Sequence, residues 1–146
     1  MRIEGEWILF SDGVTRPLIK AQLLDRFGSG LDVRFLVDCG ADRTVLTAPV
    51  IDRLQLPQQP SPPDTVIKGI SGQTVYVTVH TVLLLTRDDG GGAKVRGEFL
   101  GLTDPEASDL SVLGRDVTDN FDLILSRRRN EVLLLAPTHQ YQVIRA

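Results

Sequence analysis

The residues best placed to do chemistry lie in the run Val37-Asp38-Cys39-Gly40-Ala41. An apolar segment ends there on an acid, which is followed by a small residue, a glycine and an alanine. Such a run predicts a strand that delivers one carboxylate onto a tight loop, because glycine tolerates the turn. A carboxylate held in this way can take or give a proton during hydrolysis. Asp38 is therefore the first candidate catalytic residue.

One carboxylate limits what this loop can do by itself. An aspartate with an unperturbed pKa of about 3.9 is almost fully ionised at neutral pH, so it cannot serve as base and acid together. Two carboxylates held close together share one proton, so that one activates water while the other polarises a carbonyl. The chain contains one such loop. The second carboxylate is therefore expected from a second copy of the chain.

The elements around the loop have the pattern of an all-β domain. Short segments rich in Val, Ile, Leu and Thr recur with turn residues between them. Apolar residues alternate along one side of residues 31–37, which predicts a half-buried strand that runs into Asp38. Further strands are predicted over residues 7–10, 18–24, 44–46, 65–68, 74–86, 93–102, 110–113, 121–125 and 131–135.

Turn and helix signals punctuate these strands. Thr47 as a helix N-cap and Pro49 in the first turn predict a short helix over residues 47–54, and a second is predicted over residues 115–120. The glycines of Gly69-Ile70-Ser71-Gly72 predict a hairpin tip. The basic run at residues 127–129 is interpreted as a hairpin turn, because a phosphate site usually recruits basic residues from several elements.

Three pieces of the chain, in this order, resemble the retropepsin-like aspartic peptidases. They are residues 35–42, the hairpin tip at residues 69–72, and Ser111-Val112-Leu113-Gly114-Arg115-Asp116. The resemblance covers about residues 31 to 125 and depends on order and spacing as much as on any one motif. It implies a closed, mostly β barrel of the acid-protease type with one or two short helices. The chain length predicts one domain over residues 1–146. The helix-like residues 47–54 and the closing hairpin resemble cellular or bacterial members of the family more than the viral ones.

The same resemblance implies a role for each matching residue. Asp38 is the catalytic aspartate of a peptide hydrolase, and Arg115 pairs with Asp42. The substrate is contacted by the loop and by a flap, through Gly40, Ala41, Asp42, Gly69, Ile70, Ser71 and Gly72. The loop is supported by Cys39, Leu113, Gly114 and Arg115. The active form is a homodimer on peptide or protein substrates, with a shared sheet drawn from residues 6–10, 131–135 or 141–144.

Cys39 departs from the family pattern. Relatives carry threonine or serine there, and the hydroxyl donates a hydrogen bond across the dimer axis. A thiol is a weaker donor, so the exchange costs about 1 kcal/mol per bond. Two functions stay open on this ground: a working aspartic endopeptidase, or a catalytically silent domain that binds peptides or dimerises. The retained Asp38 and Gly114-Arg115 favour the enzyme.

Composition excludes several other classes of protein. The chain has 146 residues, 42% of them hydrophobic and 24% charged, with a formal net charge of −3, which is ordinary for a globular domain and predicts no nucleic-acid partner. A single cysteine excludes an intrachain disulfide and favours a reducing compartment. No apolar stretch approaches the roughly 20 residues of a membrane span, so a cytoplasmic protein without a membrane partner is expected. His80 and His139 lack companions at ligand spacing, and no metal or cofactor is predicted.

Overall fold

The computed structural model describes residues 2–60, 76–136, 142 and 144. Strands dominate these residues, as predicted, and two short helices accompany them. The helices are α1 (Ala48–Leu54) and α2 (Arg115–Thr118). The strands are β1 (Arg2–Glu4), β2 (Glu6–Leu9), β3 (Thr15–Leu24), β4 (Gly30–Val37), β5 (Val45–Leu46), β6 (Gln59–Pro60), β7 (Tyr76–Thr86), β8 (Gly92–Leu102), β9 (Ser111–Leu113), β10 (Asp122–Ser126) and β11 (Glu131–Leu135).

Six of the strands close a barrel. Their order is β3-β4-β9-β5-β8-β7, and β7 pairs back onto β3 at Gln22 and Leu23. Most neighbours are antiparallel, but β4 runs parallel to β9 and β5 runs parallel to β8. The predicted fold, a closed all-β barrel with one or two short helices, is confirmed.

The barrel interior is filled by alternate residues of its strands, because side chains on a strand point to opposite faces in turn. Phe35 from β4 and Phe99 from β8 are almost completely buried there, and α1 closes one side through Ile51 and Leu54. Truncating a buried phenylalanine costs about 3 to 5 kcal/mol. The strand that leads into Asp38 is therefore anchored in the barrel core.

A second, three-stranded antiparallel sheet has the order β1-β11-β10. Its central strand β11 sends Val132 and Leu134 into the barrel core. The predicted turn between β10 and β11 is present, and Asn130 adopts the left-handed conformation there with φ of 57°. Strand β1 was not predicted, because three residues carry too little pattern; it exists through its pairing with β11, in which Ile3 lies opposite Leu134.

Both predicted helices are present, with ends that shift by one or two residues. Helix α1 begins after Thr47, whose side chain makes no capping hydrogen bond, and α2 ends at Thr118 rather than at residue 120. The predicted strand at residues 65–68 and hairpin tip at residues 69–72 lie outside the described residues. Within the described part of the chain, neither helix has the length and apolar character that crossing a membrane requires.

Candidate active site

Asp38 lies at the point where β4 leaves the barrel. Val37 is the last residue of β4 and lies opposite Leu113 of β9. The backbone N–H of Asp38 continues this pairing by donating to the carbonyl oxygen of Leu113 at 3.1 Å. Because Leu113 is fully buried, the barrel core determines where the backbone of Asp38 lies.

The loop after β4 holds the Asp38 side chain in one orientation. The backbone N–H of Gly40 donates to Oδ1 of Asp38 at 2.9 Å, and the N–H of Ala41 donates to the Asp38 carbonyl oxygen at 3.2 Å. This is the tight turn that an aspartate side chain supports locally. A Cβ atom on Gly40 would lie 3.2 Å from Oδ1, so a glycine suits this close contact. The half-buried Asp38 carboxylate is thereby oriented by its own loop.

Helix α2 supports the same loop from the other side. Its first backbone N–H groups, from Arg115 and Asp116, donate to the carbonyl oxygens of Ala41 at 2.9 Å and Asp42 at 3.2 Å. The predicted ion pair between Arg115 and Asp42 is present. Both side chains are exposed, by 50% and 78%, and exposed pairs contribute little to stability. The backbone bonds are the stronger part of this contact.

Asp116 and Thr44 form a contact that sequence reasoning missed. Both carboxylate oxygens of Asp116 accept the Thr44 backbone N–H, at 2.9 and 3.0 Å, and Oδ1 also accepts the Thr44 hydroxyl at 2.7 Å. The same hydroxyl oxygen accepts the N–H of Gly114 at 3.1 Å. Thr44 is fully buried. No sequence-spacing rule pairs these residues, because Thr44 ends the loop and Asp116 lies on a helix 72 positions later in the chain.

Gly114 occupies a position that only glycine fits. A Cβ atom there would lie 2.4 Å from the carbonyl carbon of Arg43 and 2.5 Å from its oxygen. These are backbone atoms, so no side-chain rotation relieves the overlap. The β9–α2 junction at Gly114 therefore lies directly against the end of the Asp38 loop, where a larger residue would overlap the backbone.

The remaining predicted residues are placed as follows. Cys39 is a free, exposed cysteine at the tip of the loop. Gly69, Ile70, Ser71 and Gly72 lie outside the described residues. A cavity of about 660 Å³ lies between the turn after β3 and the β7–β8 hairpin, and none of the predicted site residues line it.

The two other acids of this region, Asp42 and Asp116, are each bonded to a partner of their own. Asp42 is paired with Arg115, and Asp116 is bonded to Thr44 and lies 3.8 Å from the Arg43 guanidinium. Arg43 also donates to the carbonyl oxygen of Glu98 at 2.8 Å, which ties the loop to β8. Both of these acids therefore have partners other than Asp38. The loop thus presents one oriented carboxylate, that of Asp38.

A closed barrel that presents an aspartate loop braced by a Gly-Arg helix start is the arrangement of the retropepsin-like aspartic proteases. Residues 26–117, more than half of the chain, match the family described as aspartyl protease. The chain belongs to this family. A search of curated proteins finds no match to it.

Solved structures are similar in fold. A retropepsin-like aspartic protease from Rickettsia conorii has 15% identity and a TM-score of 0.56, over 92% of this chain and 88% of that one. The retroviral protease-like domain of Ddi1 from Leishmania major has 12% identity and a TM-score of 0.50, over 87% and 99%. The EIAV protease has 23% identity and a TM-score of 0.48, over 77% and 92%. At these identities the first two matches show the fold alone.

Proposed function

We propose that the chain is an aspartic endopeptidase that hydrolyses peptide bonds through Asp38 of two subunits in a homodimer. The observation that carries this proposal is the single oriented carboxylate of Asp38, held by Gly40 while Asp42 and Asp116 are bonded elsewhere. A lone ionised aspartate cannot act as base and acid together. A two-fold dimer supplies the second carboxylate from the same position of the other copy.

In the proposed mechanism the two carboxylates share one proton. The ionised one takes a proton from a water molecule, whose oxygen attacks the carbonyl carbon of the substrate peptide bond. The protonated one donates a hydrogen bond to the carbonyl oxygen, and a proton passes to the leaving nitrogen as the C–N bond breaks. Gly40, Ala41, Asp42 and residues 69–72 contact the peptide substrate, and no cofactor takes part.

The test is cleavage of a diverse peptide library from acid to neutral pH by the wild type and by Asp38→Asn. We expect cleavage by the wild type and at least a 10³-fold loss in the variant, because the amide cannot exchange a proton. Asp52→Asn is the matched control, since Asp52 is an exposed acid of α1 and not a residue of the Asp38 loop. Activity that survives in Asp38→Asn rules the mechanism out.

A second candidate function is a silent domain that binds peptides or dimerises without cleavage. The exposed Cys39 favours it, because a thiol supports the contact between two loops less well than a hydroxyl. This alternative would be supported if the wild-type protein is dimeric but cleaves no peptide at any pH. The Cys39→Thr variant should then be inactive as well.

A further inference from the structure

The cavity between the turn after β3 and the β7–β8 hairpin has no part in the proposed mechanism. It lies where β3, after pairing with β7 at Gln22 and Leu23, turns away toward β4. The Thr81 hydroxyl donates to the carbonyl oxygen of Leu24 at 2.6 Å and holds the two strands together at the edge of the cavity. The volume of about 660 Å³ is within the range of about 300 to 1,000 Å³ that is common for ligand pockets.

Hydrogen bonds fix the wall that the turn after β3 contributes. Oδ1 of Asp25 accepts the backbone N–H groups of Phe27 at 2.8 Å and Ser29 at 2.9 Å. The backbone N–H of Arg26 donates to the carbonyl oxygen of Leu54, at the end of α1, at 2.9 Å. A wall that is fixed in this way exists before a ligand arrives, which lowers the entropic cost of binding.

The lining of the cavity has an apolar part and a charged part. Leu24, Leu56 and Val82 are half-buried and form the apolar part. The side chains of Arg26 and Arg96 are exposed and belong to the charged part. Binding sites commonly combine apolar contacts with a few polar groups that orient the ligand. The cavity therefore suits a ligand that has both an apolar and a charged group.

The two arginines determine which charge the ligand should carry. Of the acids that line the cavity, Asp25 is bonded to its own turn and Glu98 lies 3.8 Å from His80. Within the part of the chain that the structure describes, neither Arg26 nor Arg96 has an ion-pair partner. Guanidinium groups match carboxylates in geometry and charge. The ligand is therefore expected to carry a carboxylate.

The cavity is connected to the Asp38 loop through β8. Glu98 lines the cavity, and its carbonyl oxygen accepts the Arg43 guanidinium at 2.8 Å. Two residues later, the N–H of Leu100 donates to the Thr44 carbonyl oxygen at 3.2 Å. The loop and the cavity are thus attached to neighbouring residues of one strand. A peptide is the ligand that this position favours, because an extended chain advances about 3.3 Å per residue and a protein substrate can contact both.

We propose that this cavity binds a segment of the protein substrate remote from the scissile bond, in which an acidic side chain lies next to an apolar one; the inference rests on the proposed function. The acidic side chain contacts Arg26 and Arg96, and the apolar one packs in the apolar part of the lining. Because the chain has a formal net charge of −3, these arginines provide local positive charge on an acidic protein. Such complementarity selects acidic segments over neutral ones.

Peptide binding tests the proposal in the Asp38→Asn variant, which should not cleave its ligand. The probe is a fluorescein-labelled octapeptide of alternating leucine and glutamate, and the same peptide with glutamine is its control. In fluorescence anisotropy we expect the glutamate peptide to bind more tightly. Arg26→Gln and Arg96→Gln, added one at a time, should each raise its dissociation constant about fivefold or more, because each removes one charge pair.

The matched control is Arg34→Gln in the same Asp38→Asn background. Arg34 is an exposed residue of β4 that does not line the cavity. Its replacement removes the same charge from the protein and should leave the dissociation constant unchanged. An equal loss of affinity in Arg34→Gln, or equal binding of the glutamate and glutamine peptides, overturns the inference.

Charge exchange separates a direct contact from an effect on the structure of the cavity. Arg96→Glu should bind the glutamate peptide at least about tenfold more weakly, because like charges now face each other. It should also bind a matched peptide of alternating leucine and lysine more tightly than the protein with Arg96 does. Weaker binding of both peptides would show that residue 96 does not read the charge of the ligand, and it overturns the inference.

Cleavage by the wild type tests whether the segment belongs to the substrate. A peptide that the enzyme cleaves is joined to the leucine-glutamate segment through a flexible glycine-serine linker. Attachment should lower KM about fivefold or more with kcat unchanged, because the cavity holds the substrate near the loop. Arg96→Gln should remove this advantage. A KM that does not respond to the attached segment overturns the inference.

The inference and the proposed function fail separately. Binding that follows the charges of residues 26 and 96, without cleavage of any peptide by the wild type, rejects the peptidase and retains the cavity as a peptide site. Cleavage of library peptides, together with binding that is insensitive to both arginines, rejects the cavity and retains the peptidase.

Discussion

The carboxylate of Asp116 accepts both the backbone N–H and the hydroxyl of Thr44, with distances of 2.7 to 3.0 Å. Thr44 is fully buried, and the Asp116 side chain is 22% exposed. The Asp42–Arg115 pair next to it is far more exposed. Water screens this ion pair, whereas it has little access to the Asp116–Thr44 bonds. The buried contact should therefore hold the Asp38 loop more firmly than the ion pair that sequence reasoning identified.

Replacing Asp116 with alanine should lower the free energy of unfolding by about 2 to 3 kcal/mol, because it leaves buried Thr44 donors without an acceptor. Urea denaturation measures this, and peptide cleavage should fall in kcat more than it changes KM. Asp116→Asn, which keeps one acceptor oxygen, should lose less. Asp119→Ala on the exposed end of the same helix is the control and should stay within about 0.5 kcal/mol. Equal effects at residues 116 and 119 would contradict the prediction.

Removing the ion pair should have a much smaller effect on stability. A double-mutant cycle with Asp42→Ala and Arg115→Ala should give a coupling energy below about 1 kcal/mol, because both side chains are exposed. The coupling should decrease further in 1 M salt. Denaturant unfolding of the four proteins measures it. A coupling of 2 kcal/mol or more would mean that the pair is better shielded from water than its exposure indicates.

Gly114→Ala should destabilise the chain by about 3 kcal/mol or more, since the added Cβ would overlap the Arg43 backbone. Thermal and urea unfolding should both show the loss. Gly92→Ala is the control, because the nearest atom to its Cβ would be the Leu85 carbonyl oxygen at an ordinary 3.7 Å. The prediction is wrong if the two variants are equally stable.

Cys39→Thr should strengthen the proposed dimer, because a hydroxyl donates a better hydrogen bond than a thiol. Two-fold symmetry makes this contact twice, so a gain of about 1 kcal/mol per bond would lower the dimer dissociation constant about 30-fold. Sedimentation measures this constant, and cleavage at low protein concentration should increase with it. Cys39→Ala is the control, since it removes the thiol without adding a donor. If Cys39→Ala also dimerises more tightly than the wild type, the size of the side chain at residue 39 determines the affinity and its hydrogen bond does not.

Strands with a clear alternating pattern could be predicted, because every second residue of a pleated strand faces the core and this leaves a period of two in the sequence. Strand β11 was predicted to the residue, and β4 to within one residue. Strand β1 could not be predicted, because three residues have no period of their own and form a strand only through pairing with β11. The same reason hid the position of β10 at the end of its sheet within the described residues, since that position depends on which other strands pair with it.

For the candidate site, the sequence by itself determined which residue carries the carboxylate, and that the Gly-Arg segment accompanies it. The order of the motifs and the chemistry of their residues are enough to identify both, because each motif lies within a single short loop. Only the tertiary structure decided that Thr44 and Asp116 meet and that Gly114 lies against the Arg43 backbone. These contacts join residues up to 72 positions apart. Their existence depends on how the closed barrel brings β4, β9 and α2 together, which no local pattern in the chain records.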